Sequence, residues 1–259
     1  KVTCGSWQDI WLNEGFATYL TGLSYEFLNL DRFWNAWKRD AISSVTSQPG
    51  GAVFVEDTTN VGRIFSGRLS YRKGAYLLHM LRWILGDEDF FAANKNYLND
   101  PELAFSYART KDLKNHYERQ SGIDLEEFFK DWFYGEGFPS HHIVWNNNQE
   151  RAHVLVNQTS SHPSVDFFEI PIPIQFIGPG VDTIVRLNLK EDGQIFVVDL
   201  PFEPIGVSFD PDLWILSNDN TIVNAPFSNV DEKLGPKIHT FPNPFQNELI
   251  VENFIDSGP

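Results

Sequence analysis

Glu14 is the residue in this chain best placed to do chemistry. It lies in Trp7-Gln8-Asp9-Ile10-Trp11-Leu12-Asn13-Glu14-Gly15-Phe16-Ala17-Thr18-Tyr19. A helix through that stretch puts Glu14 one turn from Ile10 and Trp11 on one side and from Ala17 and Thr18 on the other. The carboxylate therefore sits in an otherwise apolar stripe. An unpaired buried carboxylate costs several kcal/mol, so an ionised Glu14 requires a cation or a metal as partner. Gly15 costs about 1 kcal/mol relative to alanine inside a helix, which predicts that something approaches the backbone closely there.

Two further stretches accompany it. Ser70-Tyr71-Arg72-Lys73-Gly74-Ala75 opens a predicted helix. Gly122-Ile123-Asp124-Leu125-Glu126-Glu127-Phe128-Phe129, then Trp132 and Gly137-Phe138-Pro139, close the helical part. On its own Tyr71 reads as a core-facing residue of a helix start.

Taken in order, the three stretches resemble the zinc aminopeptidases of the aminopeptidase N type. The family's first catalytic helix carries His-Glu-x-x-His, and after a spacer of eighteen residues the glutamate of Asn-Glu-Gly-Phe-Ala supplies the third zinc ligand. The resemblance implies that Glu14 is that ligand and that Tyr71, in the family's Tyr-x-Lys-Gly-Ala element, points at the zinc-bound substrate. A phenol hydroxyl suits that place, because it can donate to the oxyanion forming on a scissile carbonyl. The third stretch resembles the helix that ends the family's catalytic domain, and it carries no chemistry. Thirteen residues precede Glu14, which leaves five residues of the spacer between the second histidine and Lys1. The chain then reads as a fragment lacking the N-terminal half of its own catalytic domain, with one zinc ligand and no general base.

What the resemblance implies is an α+β multidomain chain: the helical half of a thermolysin-like catalytic domain followed by a small antiparallel β-sandwich. The implied activity of the parent protein is hydrolysis of N-terminal residues from peptide substrates by zinc-activated water. The 259 residues alone are expected to be inactive, to bind zinc weakly or not at all, and to associate or disorder through an exposed apolar face around Glu14. The competing reading is a non-catalytic surface module for binding or adhesion, a pseudo-peptidase.

Bulk properties bound these readings. Apolar residues make up 42% and aromatics 15%, enough for a core. A formal charge of -15 excludes the basic footprint of a nucleic-acid partner. No apolar run is long enough to span a membrane. Cys4 is alone, so no intrachain disulfide forms within this sequence.

The elements that must position the chemistry follow from periodicity. Helices are predicted at 9–28, from Asp31 as N-cap to about 46, at 70–85 closed by Gly86, from Asp87-Glu88-Asp89, at 111–120 and at 124–134, with 52–69 as loop. From His141 the period becomes two. Strand candidates are Ala152–Val156, Ile170–Ile177, Thr183–Leu189, Ile195–Leu200 and Ile205–Phe209, with Glu191-Asp192-Gly193 as a hairpin turn and Trp214-Ile215-Leu216 as the last apolar run. The predicted domains are 1–139, 140–216, and a polar 217–259. Within the last, Phe241-Pro242-Asn243-Pro244-Phe245 and the alternation to Val251 resemble the start of a type IX secretion sorting domain, which implies a secreted or surface-bound bacterial protein.

The remaining candidates have structural explanations. Asp9 is either the N-cap of its helix or support for a histidine outside the chain. His141 and His142 would point to opposite faces of a strand and mark a domain edge. His79 reads as a packed core histidine. Arg63, Arg68 and Arg72 are solvated, or else contact a substrate carboxylate.

Overall fold

The computed structural model describes residues 1–226 and the backbone of 237–239 and 248–249. The chain divides into two compact units, one of Lys1–Phe138 with Ser160–Phe168, the other of Pro139–Thr159 with the chain from Glu169 onward. The sorting-like stretch 241–251 lies outside the described residues, apart from the backbone of 248–249.

In the first unit β1 (Thr3–Cys4) leads through a 3-10 turn (Trp7–Asp9) to α1 (Trp11–Phe27) and α2 (Asp31–Thr46). Next come α3 (Val61–Ile64), a π-helical turn (Gly67–Lys73) continuous with α4 (Gly74–Leu85), and α5 (Asp87–Asn99). β2 (Tyr107–Ala108), α6 (Thr110–Ser121), α7 (Glu126–Phe128) and a second π-helical turn (Phe129–Tyr134) complete it. β1 and β2 pair in parallel.

Three predicted boundaries are corrected. Asp31 is the first helical residue and Leu30 the uncapped residue before it, so the Asp31 carboxylate acts within the positive first turn. The stretch predicted as loop contains α3, whose N-cap Asn60 accepts from the Arg63 N–H. The predicted helix 124–134 is a single α-turn followed by a π-helical turn.

Every residue of α4 is buried, as expected of a helix covered on all sides. Against it α1 turns Trp11, Gly15 and Tyr19, also buried, while the buried Gly22 faces Trp34 and Trp37 of α2. The predicted close approach at Gly15 is present. A Cβ there would lie 2.9 Å from the carbonyl carbon of Gly74, and one on Gly74 would lie 3.2 Å from Cβ of Trp11. Farther along, the Arg82 guanidinium reaches Glu26 at 2.6 Å and grips Asp87 through two bonds of 2.7 and 2.8 Å. One buried cation thus ties α4 to α1 and α5. His79 is the packed core residue predicted, enclosed by the rings of Tyr19, Trp34 and Tyr76.

Cations also hold the loop before the first π-helical turn. The Arg68 guanidinium donates to the carbonyls of Val45 and Gly50, and Arg63 to those of Ala52 and Phe54. The reading of both as solvated is therefore corrected: loop carbonyls take up their donors. Lys73 is fully buried, and its ammonium donates to Gly51 O at 2.9 Å, Gly137 O at 3.1 Å and Gly135 O at 3.4 Å. Burial first, then the nearby Arg68, lowers its pKa to about 7 despite the opposing Glu136.

The second unit holds β3 (Pro139–Asn148), β4 (Arg151–Ser160), β5 (Ile170–Gly178), β6 (Val181–Leu189), β7 (Gln194–Asp199), β8 (Gly206–Phe209), β9 (Thr221–Asn224), β10 (Lys237–His239) and β11 (Glu248–Leu249). They form two sheets, ordered β10-β7-β4-β3-β9 and β11-β6-β5-β8. The pairs β4–β7, β5–β6 and β5–β8 are antiparallel, while β9 joins β3 in parallel. Alternate residues of β4 and β5, such as Val154, Val156, Ile172 and Ile174, fill the core.

Glu191-Asp192-Gly193 is a turn but not a hairpin, because β6 and β7 belong to different sheets. Its hydrogen bonds explain the difference. Asp192 accepts from the Gln158 N–H and Gly193 N–H donates to Val156 O, so β4 of the other sheet captures the turn. Trp214-Ile215-Leu216 is not a strand; the Asp210 carboxylate caps the Trp214 and Ile215 amides instead. β9 falls in the stretch predicted to be polar loop. Its exposed residues lack apolar alternation, and its pairing with β3 supplies the order.

Two predictions follow from the first unit. Gly15→Ala forces the added methyl against Gly74 backbone and is expected to lower stability by about 1–3 kcal/mol, read from the urea midpoint at unchanged m-value. The second concerns Lys73. Its folded pKa is depressed from 10.5 to about 7, so between those values the unfolded chain binds more protons and stability rises with pH. Lys73→Met is expected to flatten that rise while lowering stability overall, because loop carbonyls lose their donor. Urea midpoints from pH 6.5 to 10 on both proteins check it.

Candidate functional site

Glu14 and Tyr71, distant in sequence, meet where α1 crosses the first π-helical turn. The phenol of Tyr71 is raised above its ordinary pKa first by burial, then by its hydrogen bond to Glu14, then by the Glu14 charge. The close approach of Gly15 and Gly74 sets this geometry. Glu14 immediately precedes the first glycine, and Tyr71 stands three residues before the second. π-winding widens the turn by one residue, a deviation that recurs at functional sites. Ser66 begins that turn by accepting from the Leu69 N–H.

Both residues are half-buried. Around Glu14 the surface is mixed and not the continuous exposed apolar face expected: Ile10 and Trp11 are buried, whereas Ala17 is exposed. Asn13, in the same motif, has a role that motif reading passed over. Its side chain accepts from the Cys4 N–H at 2.9 Å and donates to Thr3 Oγ1 at 2.9 Å, pinning β1 to the start of α1.

Asp9 is not the N-cap of α1, where Ile10 holds that place without a side-chain cap bond. Ser6 caps its own 3-10 turn. The Asp9 carboxylate accepts from the backbone N–H of Thr110 at 3.0 Å, the Thr110 hydroxyl at 2.8 Å and Arg109 at 3.1 Å. It therefore serves the N-terminus of α6, a helix a hundred residues away that sequence proximity could not indicate. Trp11 Nε1 completes the cluster by donating to Thr110 Oγ1 at 2.8 Å.

Among the described residues no group of three or more His, Cys, Asp or Glu could hold a metal ion. Catalytic zinc takes three protein ligands and an open position. Glu14 offers one, so the described residues do not by themselves make a zinc site. His141 and His142 are not a ligand pair. His141 is buried against Phe209, hydrogen-bonded to Asn220, and held neutral by burial with a pKa near 4. His142 instead contacts Thr221 and Thr159.

A cavity of about 380 Å³ opens beside Tyr71, walled by Trp37 and Phe65 and edged by Thr18, Asp40 and Arg72. Thr18 follows Glu14 by one helical turn. No spacing in the sequence links α1, α2 and the π-helical turn, so this grouping had no sequence signal. Of the three arginines considered, Arg72 alone lines the cavity.

Comparison with known proteins extends this picture. The model of the peptidase family M1 domain matches residues 1–132, just over half of the chain. The leucyl aminopeptidase of Saccharolobus solfataricus is 26% identical over 250 residues, covering 89% of this chain and 30% of that protein. The glutamyl aminopeptidase of Sus scrofa is 31% identical over 210 residues, covering 75% and 21% respectively. Among solved structures, the aminopeptidase A of Legionella pneumophila in complex with aspartic acid superposes with a TM-score of 0.61 at 16% identity. That match covers 88% of this chain and 25% of the other, and it supports the fold alone. The chain spans less than a third of the length of each of these proteins. With its signature residues gathered at one crossing and the family domain matched from Lys1 to Trp132, the chain belongs to the M1 family of peptidases.

Proposed function

We propose that this chain is part of a zinc-dependent aminopeptidase that removes residues from peptide N-termini, with Glu14 as one zinc ligand and Tyr71 as a catalytic hydrogen-bond donor. The observation that supports the reading is that Glu14 and Tyr71, fifty-seven residues apart in sequence, lie close enough where α1 meets the first π-helical turn for the carboxylate to act on the phenol. A half-buried carboxylate with no cationic partner of its own among the described residues is suited to a metal. The remaining ligands would come from residues outside this chain, and zinc bound there would supply a Lewis acid and an activated water.

The residues of this chain have definite tasks in that reading. A phenol is protonated at neutral pH, so the Tyr71 hydroxyl donates to the carbonyl oxygen of the bond being cleaved as negative charge develops there. Glu14 orients the phenol before substrate arrives. The Gly15–Gly74 contact holds the two at fixed spacing, since a donor misplaced by 1 Å loses most of its effect. The 259 residues alone are proposed to be inactive, since they hold one ligand of the set. Export through a sorting domain beginning near Phe241 is part of the same proposal and rests on that sequence resemblance.

In the full-length zinc-loaded protein, Tyr71→Phe is expected to lower kcat by about 10²–10³-fold with little change in KM. Glu14→Gln is expected to lose stoichiometric zinc, read by elemental analysis after dialysis. Retention of one zinc per chain in Glu14→Gln, or full kcat in Tyr71→Phe, would overturn the assignment of that residue.

A further inference from the structure

We propose that the cavity beside Tyr71 binds a substrate carboxylate through Arg72, so that this peptidase favours peptides carrying a carboxylate next to the bond it cleaves. The inference rests on the aminopeptidase reading and adds a substrate class to it.

The argument is one of unspent donors. Three arginines lie close in sequence to Tyr71. Arg68 donates to Val45 and Gly50 carbonyls and Arg63 to those of Ala52 and Phe54, all within the fold. Arg72 is exposed. Among the described residues its one hydrogen bond is a long 3.4 Å donation from Nη1 to Gly67 O, at the edge of the cavity. A guanidinium has five N–H donors in a planar fork that matches a carboxylate. That contact holds the group over Gly67 and leaves the rest of the fork to a ligand.

The surroundings favour an ion pair there. Trp37 is stacked on Trp34 and Tyr76, with centroids 5.1 and 6.3 Å apart, which makes a rigid aromatic wall. Phe65, packed edge-on to Trp7, forms another. Apolar walls lower the local dielectric constant and so strengthen a charge pair relative to open water. Asp40 lines the same cavity and repels any carboxylate brought close to it, so a bound carboxylate draws its attraction from Arg72. Tyr71 belongs to both the cavity lining and the Glu14 pair, which places this subsite next to the scissile bond.

The carboxylate has three possible sources: an acidic first residue, an acidic second residue, or the C-terminus of a dipeptide. The full-length zinc enzyme and its Arg72→Gln, Arg72→Lys and Asp40→Asn variants would be assayed on Asp-Ala-NH2, Ala-Asp-NH2, Ala-Ala with a free C-terminus, Ala-Lys-NH2 and the neutral Ala-Ala-NH2. Arg72→Gln is expected to lower kcat/KM about tenfold on at least one carboxylate substrate, to leave Ala-Ala-NH2 unchanged, and to be partly rescued by lysine. The substrate that loses names the source. Loss on all substrates alike, or on none, overturns the proposal while leaving the aminopeptidase reading intact. So does a selective loss on Ala-Lys-NH2 in Asp40→Asn with Arg72→Gln silent, which would make the cavity a pocket for basic residues. Failure of the wild-type enzyme to cleave any of the five overturns both.

Discussion

The close approach of Gly15 to Gly74 is the constraint on which the first unit depends. Two helices whose backbones come this near leave no room for a methyl group on either side: a Cβ on Gly15 would sit 2.9 Å from backbone. That proximity sets the height of α1 on α4. It brings a carboxylate one residue before one glycine to a phenol three residues before the other. Widening the gap by a side chain would separate the pair and unseat Trp11, whose buried ring packs on Phe133 and whose indole N–H reaches Thr110.

Around this contact the unit uses buried and half-buried cations as ties. Arg82 joins three helices through Glu26 and Asp87, while Arg63, Arg68 and Lys73 are satisfied chiefly by carbonyl oxygens of the 45–54 and 135–137 segments. Carbonyls do not neutralise charge, and the depressed pKa of Lys73 expresses that deficit. The arrangement fixes loops that have no secondary structure of their own. A lysine in a peptidase motif thus acts as an internal strut, two residues from the phenol that faces the site.

The second unit follows a different logic. Its sheets are ordered by alternating burial, and the deeply buried His141 is kept neutral by desolvation while Asn220 and Gln158 engage the two ring nitrogens. Asp210 folds its carboxylate over two successive amides and replaces a strand at 214–216 with a capped turn. Polar side chains, not apolar runs, decide those details.

Local pattern was enough to locate the longer helices, five of the strands and the crowding beside Glu14, because burial on one face imposes a period and a glycine inside a helix advertises a close neighbour; α3 fell in a predicted loop, and Tyr71 was singled out by resemblance. Resemblance to the aminopeptidases implied a role for Glu14 and Tyr71. Contacts across long sequence separations were decided by tertiary structure. Asp9 serves a helix a hundred residues on, the turn at Gly193 belongs to β4, Arg63 and Arg68 are taken up by loop carbonyls, and α1, α2 and a π-helical turn enclose a cavity together. Hydrogen-bond partners are chosen by position in space, and a linear pattern carries the type of each group but not the address of its partner.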